Sequence, residues 1–121
     1  VYLDLIDRKP GCIHGYMVQG NYWIDIGTPA FYLQVHQDIL LNKKLVLFSK
    51  ETQGRSVFKG SGSIIESEAL LEGFVSLGKH CVVKRQAFLK DCVVWDNTVV
   101  KGGIRLENGV IDGDWKHIIS A

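Results

Sequence analysis

Aliphatic residues recur at Ile65, Leu71, Leu77, Val83, Leu89, Val94, Val100, Leu106 and Ile111. The steps are six residues long except Leu89 to Val94 and Leu106 to Ile111, which are five. Both short steps fall at the same phase of a 17-residue unit. Laying Leu77–Val93 over Val94–Val110 superposes Val82 on Val99, Val83 on Val100, Lys84 on Lys101, Leu89 on Leu106 and Val93 on Val110. Self-similarity at a fixed period marks a repeat architecture and outranks local propensity in deciding the fold.

A hexad suits a coil of three short strands and three corners, with one aliphatic side chain per hexad turned inward. Successive coils stack as parallel strands about 4.8 Å apart. Their aliphatic columns then merge into one continuous core. Small or medium residues belong where the interior narrows, and Cys81, Ala87, Thr98 and Ile104 stand at the fifth position of their hexads. Asp91 and Asn108, each just before a small residue (Cys92 and Gly109), suit corners with a left-handed backbone. The pattern argues against a helix, because the apolar positions do not recur at three and four and β-branched residues dominate. The expectation is a mainly β fold: a short parallel β-helix of about three coils over residues 64–121. The tail Trp115–Ala121 is expected to cover the open end of the stack.

Residues 1–48 carry no hexads. Gly15-Tyr16-Met17-Val18 and Tyr22-Trp23-Ile24-Asp25-Ile26 read as two strands joined by the turn Gln19-Gly20-Asn21. Thr28 and Pro29 then signal a helix start, as N-cap and first helical residue. The helix is expected to run to about Asn42, with Tyr32, Val35, Ile39 and Leu40 on one face and Lys43 and Lys44 at its negative end. Residues 49–63 are polar and read as a connector. Two strands and a helix cannot enclose a core, so residues 1–48 read as the end of a truncated larger domain. The chain also starts without Met, as a piece of a longer polypeptide would.

Charge and composition narrow the function classes. Lys plus Arg number 14 against 13 Asp plus Glu, a net charge of +1, with no basic block for nucleic acid. No apolar run approaches the roughly 18 residues that span a bilayer. Cys12, Cys81 and Cys92 are odd in number and lack metal-ligand spacing, which predicts reduced thiols in a cytoplasmic protein. The flat sides of a β-helix predict a homo-oligomer.

Asp25 stands among Trp23, Ile24 and Ile26, just before a glycine turn. A carboxylate in such company needs a hydrogen bond, a paired charge or a metal. The residues alone leave two readings open: a metal ligand, or a cap that accepts the amide of Gly27 or Thr28. His80, His117 and Cys81 are the candidate bases and nucleophile of a different class, an acyltransferase. Three coils leave no acyl-CoA groove of useful length. A corner side chain, a residue of the cap and a small core residue describe the three as well.

The run Gly20-Asn21-Tyr22-Trp23-Ile24-Asp25-Ile26-Gly27-Thr28-Pro29, followed by Tyr32-Leu33 and then by hexads, resembles the sugar-phosphate nucleotidyltransferases. It is closest to their mannose-1-phosphate guanylyltransferase-like branch. In that family a G-x-W-x-D-x-G-T/Q-P motif closes the catalytic domain and leads into a left-handed hexapeptide β-helix. The left hand is what the resemblance implies; ordinary crossovers are right-handed. The resemblance also implies transfer of a nucleotidyl group from an NTP to a sugar 1-phosphate, with Mg²⁺ as cofactor. It implies Asp25 as a metal ligand and Gly27 and Thr28 beside the substrate, with Gly27 letting the backbone turn close and Thr28 chiefly a cap. Ala30-Phe31 departs from the acidic residue usual after the proline, which removes a capping-box carboxylate but no chemistry. The family's glycine-rich nucleotide loop, its first metal-binding Asp and its sugar-phosphate lysine have no counterpart in the chain. These 121 residues alone are therefore expected to be inactive.

Overall fold

The computed structural model describes residues 2–41 and 56–119. Helices α1 (Tyr2–Arg8) and α2 (Pro29–Leu40) precede eight strands. These are β1 (Val57–Lys59), β2 (Ile64–Ile65), β3 (Leu70–Leu77), β4 (Val82–Val83), β5 (Phe88–Val94), β6 (Val99–Val100), β7 (Arg105–Asp112) and β8 (Trp115–Ile118). β1 to β7 wind into a parallel β-solenoid of about three turns. One face stacks β2, β4 and β6. The long strands β3, β5 and β7 cross a corner, so their two halves supply the other two faces.

The register is the one the repeat predicts. Leu77 lies beside Val94, Val82 beside Val99, Val83 beside Val100, Leu89 beside Leu106 and Val93 beside Val110. Leu77, Val83, Leu89, Val94, Val100, Leu106 and Ile111 are buried in one core, with Ile65 and Leu71 packed against it. Cys81, Ala87 and Thr98 are buried as expected, whereas Ile104 is only partly so. Thr98 keeps its hydroxyl satisfied by accepting the Gly113 amide at 3.0 Å.

Left-handed residues stack in three columns at the corners. The columns are Gly62, His80 and Asn97; Glu68, Gln86 and Gly103; and Gly73, Asp91 and Asn108, all with φ between 51° and 73°. Each column marks the sharp turn that closes one corner of the coil. Asp91 (φ 52°) and Asn108 (φ 51°) stand where the sequence places them.

The first coil differs from the others by one residue. Glu72 pairs with Lys90 and Val75 with Cys92, so two residues, Gly73 and Phe74, face the single Asp91. The extra residue, Phe74, is 3% exposed and points out of the solenoid into a second cluster. There it meets Leu33 and Leu40 of α2, together with Val93 and Val110. One insertion in the repeat thus creates the seat of the helix.

Several expectations need correction. Residues 15–18 and 22–26 form no strands. A two-stranded ribbon is marginal without a surface to cover, and Tyr16, Met17 and Trp23 remain exposed here. Helix α2 ends at Leu40 and buries Leu33 and Leu40, while Val35 and Ile39 are only half-buried. Asn42, Lys43 and Lys44 lie outside the described residues, as do residues 49–55 of the connector. The parallel stack begins earlier than expected, because β1, inside the stretch read as connector, pairs with β3. The described part of the tail, residues 115–119, does not lie across the open end, and Ser120 and Ala121 lie outside the described residues. Gly113 (φ 56°) opens a two-residue hairpin, and β8 runs back antiparallel along β7, extending a single face.

Candidate functional site

The segment Tyr22–Thr28 owes its shape to hydrogen bonds at both ends. Thr28 has extended backbone (φ −129°, ψ 153°), and its hydroxyl accepts the Phe31 amide at 3.3 Å, capping α2. Pro29 follows at the first helical turn, where a missing N–H costs nothing. Asp25 is exposed, and its Oδ1 accepts the Gly27 amide at 2.9 Å. That bond is the turn-capping geometry open to the residue from sequence alone. At the other end Tyr22 Oη donates to Asp38 Oδ2 at 2.6 Å. The hydrogen bond to that carboxylate, helped by partial burial and by the negative charge of Asp38, pushes the Tyr22 phenol up to about 12.

Gly27 and Thr28 open onto a cleft of about 270 Å³ whose far wall is the solenoid. Tyr32, Trp95, Val110 and Trp115 line it. A larger groove of about 520 Å³ continues past Tyr32 and Trp95 to His36, Phe58, Asp96 and Asp112. The Tyr32 ring meets Trp95 edge-on at 6.4 Å and His36 at 4.8 Å. Burial lowers the His36 pKa. The aromatic wall has no local signal, since Trp95 follows β5 and Trp115 opens β8, both far along the chain from Tyr32. The hexad register, continued to the solvent side of the strand, places Trp95, and the hairpin after Asp112 places Trp115 beside it.

Asp25 offers one hard oxygen beside the one already engaged by Gly27. Magnesium is held by one or two carboxylates and otherwise by water and phosphate oxygens. Among the described residues no group of three His, Cys, Asp or Glu side chains could hold a metal ion. Asp25 by itself does not make a metal site; its free oxygen could supply at most one ligand.

The acyltransferase candidates are not brought together as a catalytic set. The Cys81 side chain is fully buried, its thiol donating to the Trp95 carbonyl at 3.0 Å. The His80 ring lies over Gly62 at a corner, and the His117 ring stacks on Trp115 at 5.8 Å. All three cysteines are free thiols; Cys81 and Cys92 are buried and Cys12 is exposed. Burial raises the Cys92 pKa, which keeps it protonated and inert.

No protein-family model, curated protein or solved structure matches this chain. No helix among the described residues is long and apolar enough to cross a membrane. The described residues define a hexad-repeat parallel β-solenoid with a capped helix docked on one face and an aromatic cleft at that junction.

Proposed function

We propose that the chain is the C-terminal part of a sugar 1-phosphate nucleotidyltransferase, of the kind that makes GDP-mannose-like products. The observation that carries this reading is the continuity of the Gly20–Pro29 run, through the Thr28 cap, into a helix seated on a hexad solenoid. That order of parts is what the resemblance calls for. In the reaction a phosphate oxygen of the sugar 1-phosphate attacks the α-phosphorus of the NTP in line, and pyrophosphate leaves. Such chemistry is positioning and charge stabilisation. Bound Mg²⁺ would neutralise phosphate charge, and Asp25 is the ligand this segment offers it. Gly27 and Thr28 border the substrate side, and the cytoplasm is the compartment that free thiols favour.

The test is pyrophosphate release by the polypeptide that carries this chain. Each of the four NTPs is crossed with hexose and heptose 1-phosphates in the presence of Mg²⁺, beside an Asp25→Ala version. Activity with one pair, lowered about 10²–10³-fold in the variant, supports the reading. Activity with no pair refutes it; an Asp25→Ala enzyme as fast as its parent refutes the metal role of Asp25. Residues 1–121 alone are expected to show no turnover.

A second, compatible reading is an assembly module. β6 ends its sheet and β8 ends the other, leaving strand edges at one end of the stack. Such edges invite pairing with another copy. A monomeric sedimentation profile at high concentration would dispose of it.

A further inference from the structure

The hydrogen bond between Tyr22 and Asp38 spans 16 residues of sequence. It ties the segment before Thr28 to α2. Asp38 lies in the third turn of α2 and is 3% exposed, and its second oxygen accepts from Gln34 Nε2 at 3.2 Å. A carboxylate buried this far is costly unless hydrogen-bonded, so the bond from Tyr22 belongs to the packing of the helix.

The lengths of the two paths matter. From Thr28 to Asp38 the helix rises about 15 Å. The six steps from Tyr22 to Thr28 span at most about 22 Å when extended. The segment is therefore a strap laid back along its own helix, fixed at Thr28 by the cap and at Tyr22 by Asp38. Asp25 is midway, three residues from either anchor. The helix in turn is fixed to the solenoid through Leu33, Leu40 and Phe74.

We infer that Tyr22 and Asp38 form a latch that positions Asp25, so that the solenoid, acting through α2, sets where that carboxylate stands. Both are positioning residues; neither touches a reacting atom. The latch stands on geometry alone, whereas its consequence for chemistry rests on the nucleotidyltransferase reading.

Tyr22→Phe removes one oxygen and keeps the ring, so it decides the matter; Asp38→Ala would leave buried polar groups unpaired and risks the fold. On the 121-residue chain, amide order parameters are measured by nitrogen relaxation for parent and variant. The amides of Trp23–Gly27 should fall from near 0.85 toward 0.6 or below, while those of Val83, Leu89 and Val100 stay unchanged. Unchanged values at Trp23–Gly27 overturn the latch. In the pyrophosphate assay, Tyr22→Phe should raise the Mg²⁺ concentration for half-activity about tenfold, with kcat at saturating Mg²⁺ held within about twofold. Lowered order parameters with an unaltered Mg²⁺ requirement overturn the positioning of Asp25. Activity with no NTP and sugar phosphate overturns the enzymatic reading and leaves the latch to be judged by relaxation alone.

Discussion

The carboxylate of Asp91 occupies the space that a side chain on Gly73, one coil earlier, would need, and its Oδ1 accepts the Phe74 amide at 3.1 Å. The device recurs along the solenoid. Asp96 lies over Gly78 while accepting the Lys79 amide at 2.7 Å, and the His80 ring lies over Gly62. A missing Cβ in one coil lets the next coil reach across with a polar side chain. Gly73→Ala meets two penalties: its φ of 62° suits glycine, and its methyl displaces Asp91. Strain of about 1–2 kcal/mol and the lost amide bond of about 1 kcal/mol predict a loss of about 2–3 kcal/mol in urea denaturation. Asp91→Ala is expected to cost about 1–2 kcal/mol by orphaning the Phe74 amide. The double variant should cost less than the sum, because the clash is gone; additive losses would refute this account.

Gln86 predicts the opposite sign. It adopts φ 59° with an exposed side chain whose one polar contact, to Glu68, is a long 3.4 Å. The following coil has Gly103 at the same corner. Gln86→Gly relieves left-handed strain of about 1–2 kcal/mol and gives back about 0.4–1 kcal/mol through the looser unfolded chain. The net expectation is a gain of up to about 1.5 kcal/mol, read as a higher urea midpoint at unchanged slope. Arg85→Gly, next door but outside the corner column, should lower the midpoint.

The solenoid was legible because its register depends on nothing beyond the repeat. An inward aliphatic every hexad, with five-residue steps where Asp91 and Asn108 turn the corner, dictates which residues become neighbours. Thr28 and Pro29 were legible for the same reason, since a cap is settled within four residues. The strands expected at residues 15–18 and 22–26 depended on partners, and a local pattern cannot supply a partner. Val35 and Ile39 looked as apolar as Leu33, but the helix seat was set by Phe74, an insertion that breaks the repeat. Asp38 gave no sign of burial, because what buries it includes a tyrosine ring from another segment. The Gly113-Asp114 pair between β7 and β8 is the local signal for the hairpin that turns β8 back.

His36 makes stability depend on pH near neutrality. It is half-buried on α2 with its ring against Tyr32, and burial lowers its pKa from 6.5. Below pH 6.5 the unfolded chain therefore binds the proton more readily than the folded one. The contribution is fully present above pH 6.5 and is lost as the pH falls through the folded value. Urea titrations between pH 7 and pH 5 should show stability falling on acidification, and His36→Leu should flatten that slope. A variant as pH-dependent as its parent would place the effect elsewhere.

Phe74 separates the helix seat from the solenoid. Truncating a buried phenylalanine costs about 3–5 kcal/mol, and Phe74→Ala removes the side chain that meets Leu33 and Leu40. Because Phe74 is the one residue in excess at its corner, deleting it restores the spacing that the next coil already uses. The deletion should leave the β signal in circular dichroism and the slow amide exchange of Val83 and Leu89 intact. It should also abolish protection of the Leu33–Leu40 amides, since an isolated helix of twelve residues is marginal in water. Loss of the solenoid on deletion would mean that the longer corner is required for stacking; retained protection in α2 would mean that Val93 and Val110 suffice to hold it. Independent loss of the helix is the outcome expected of a repeat whose coils contact only their neighbours.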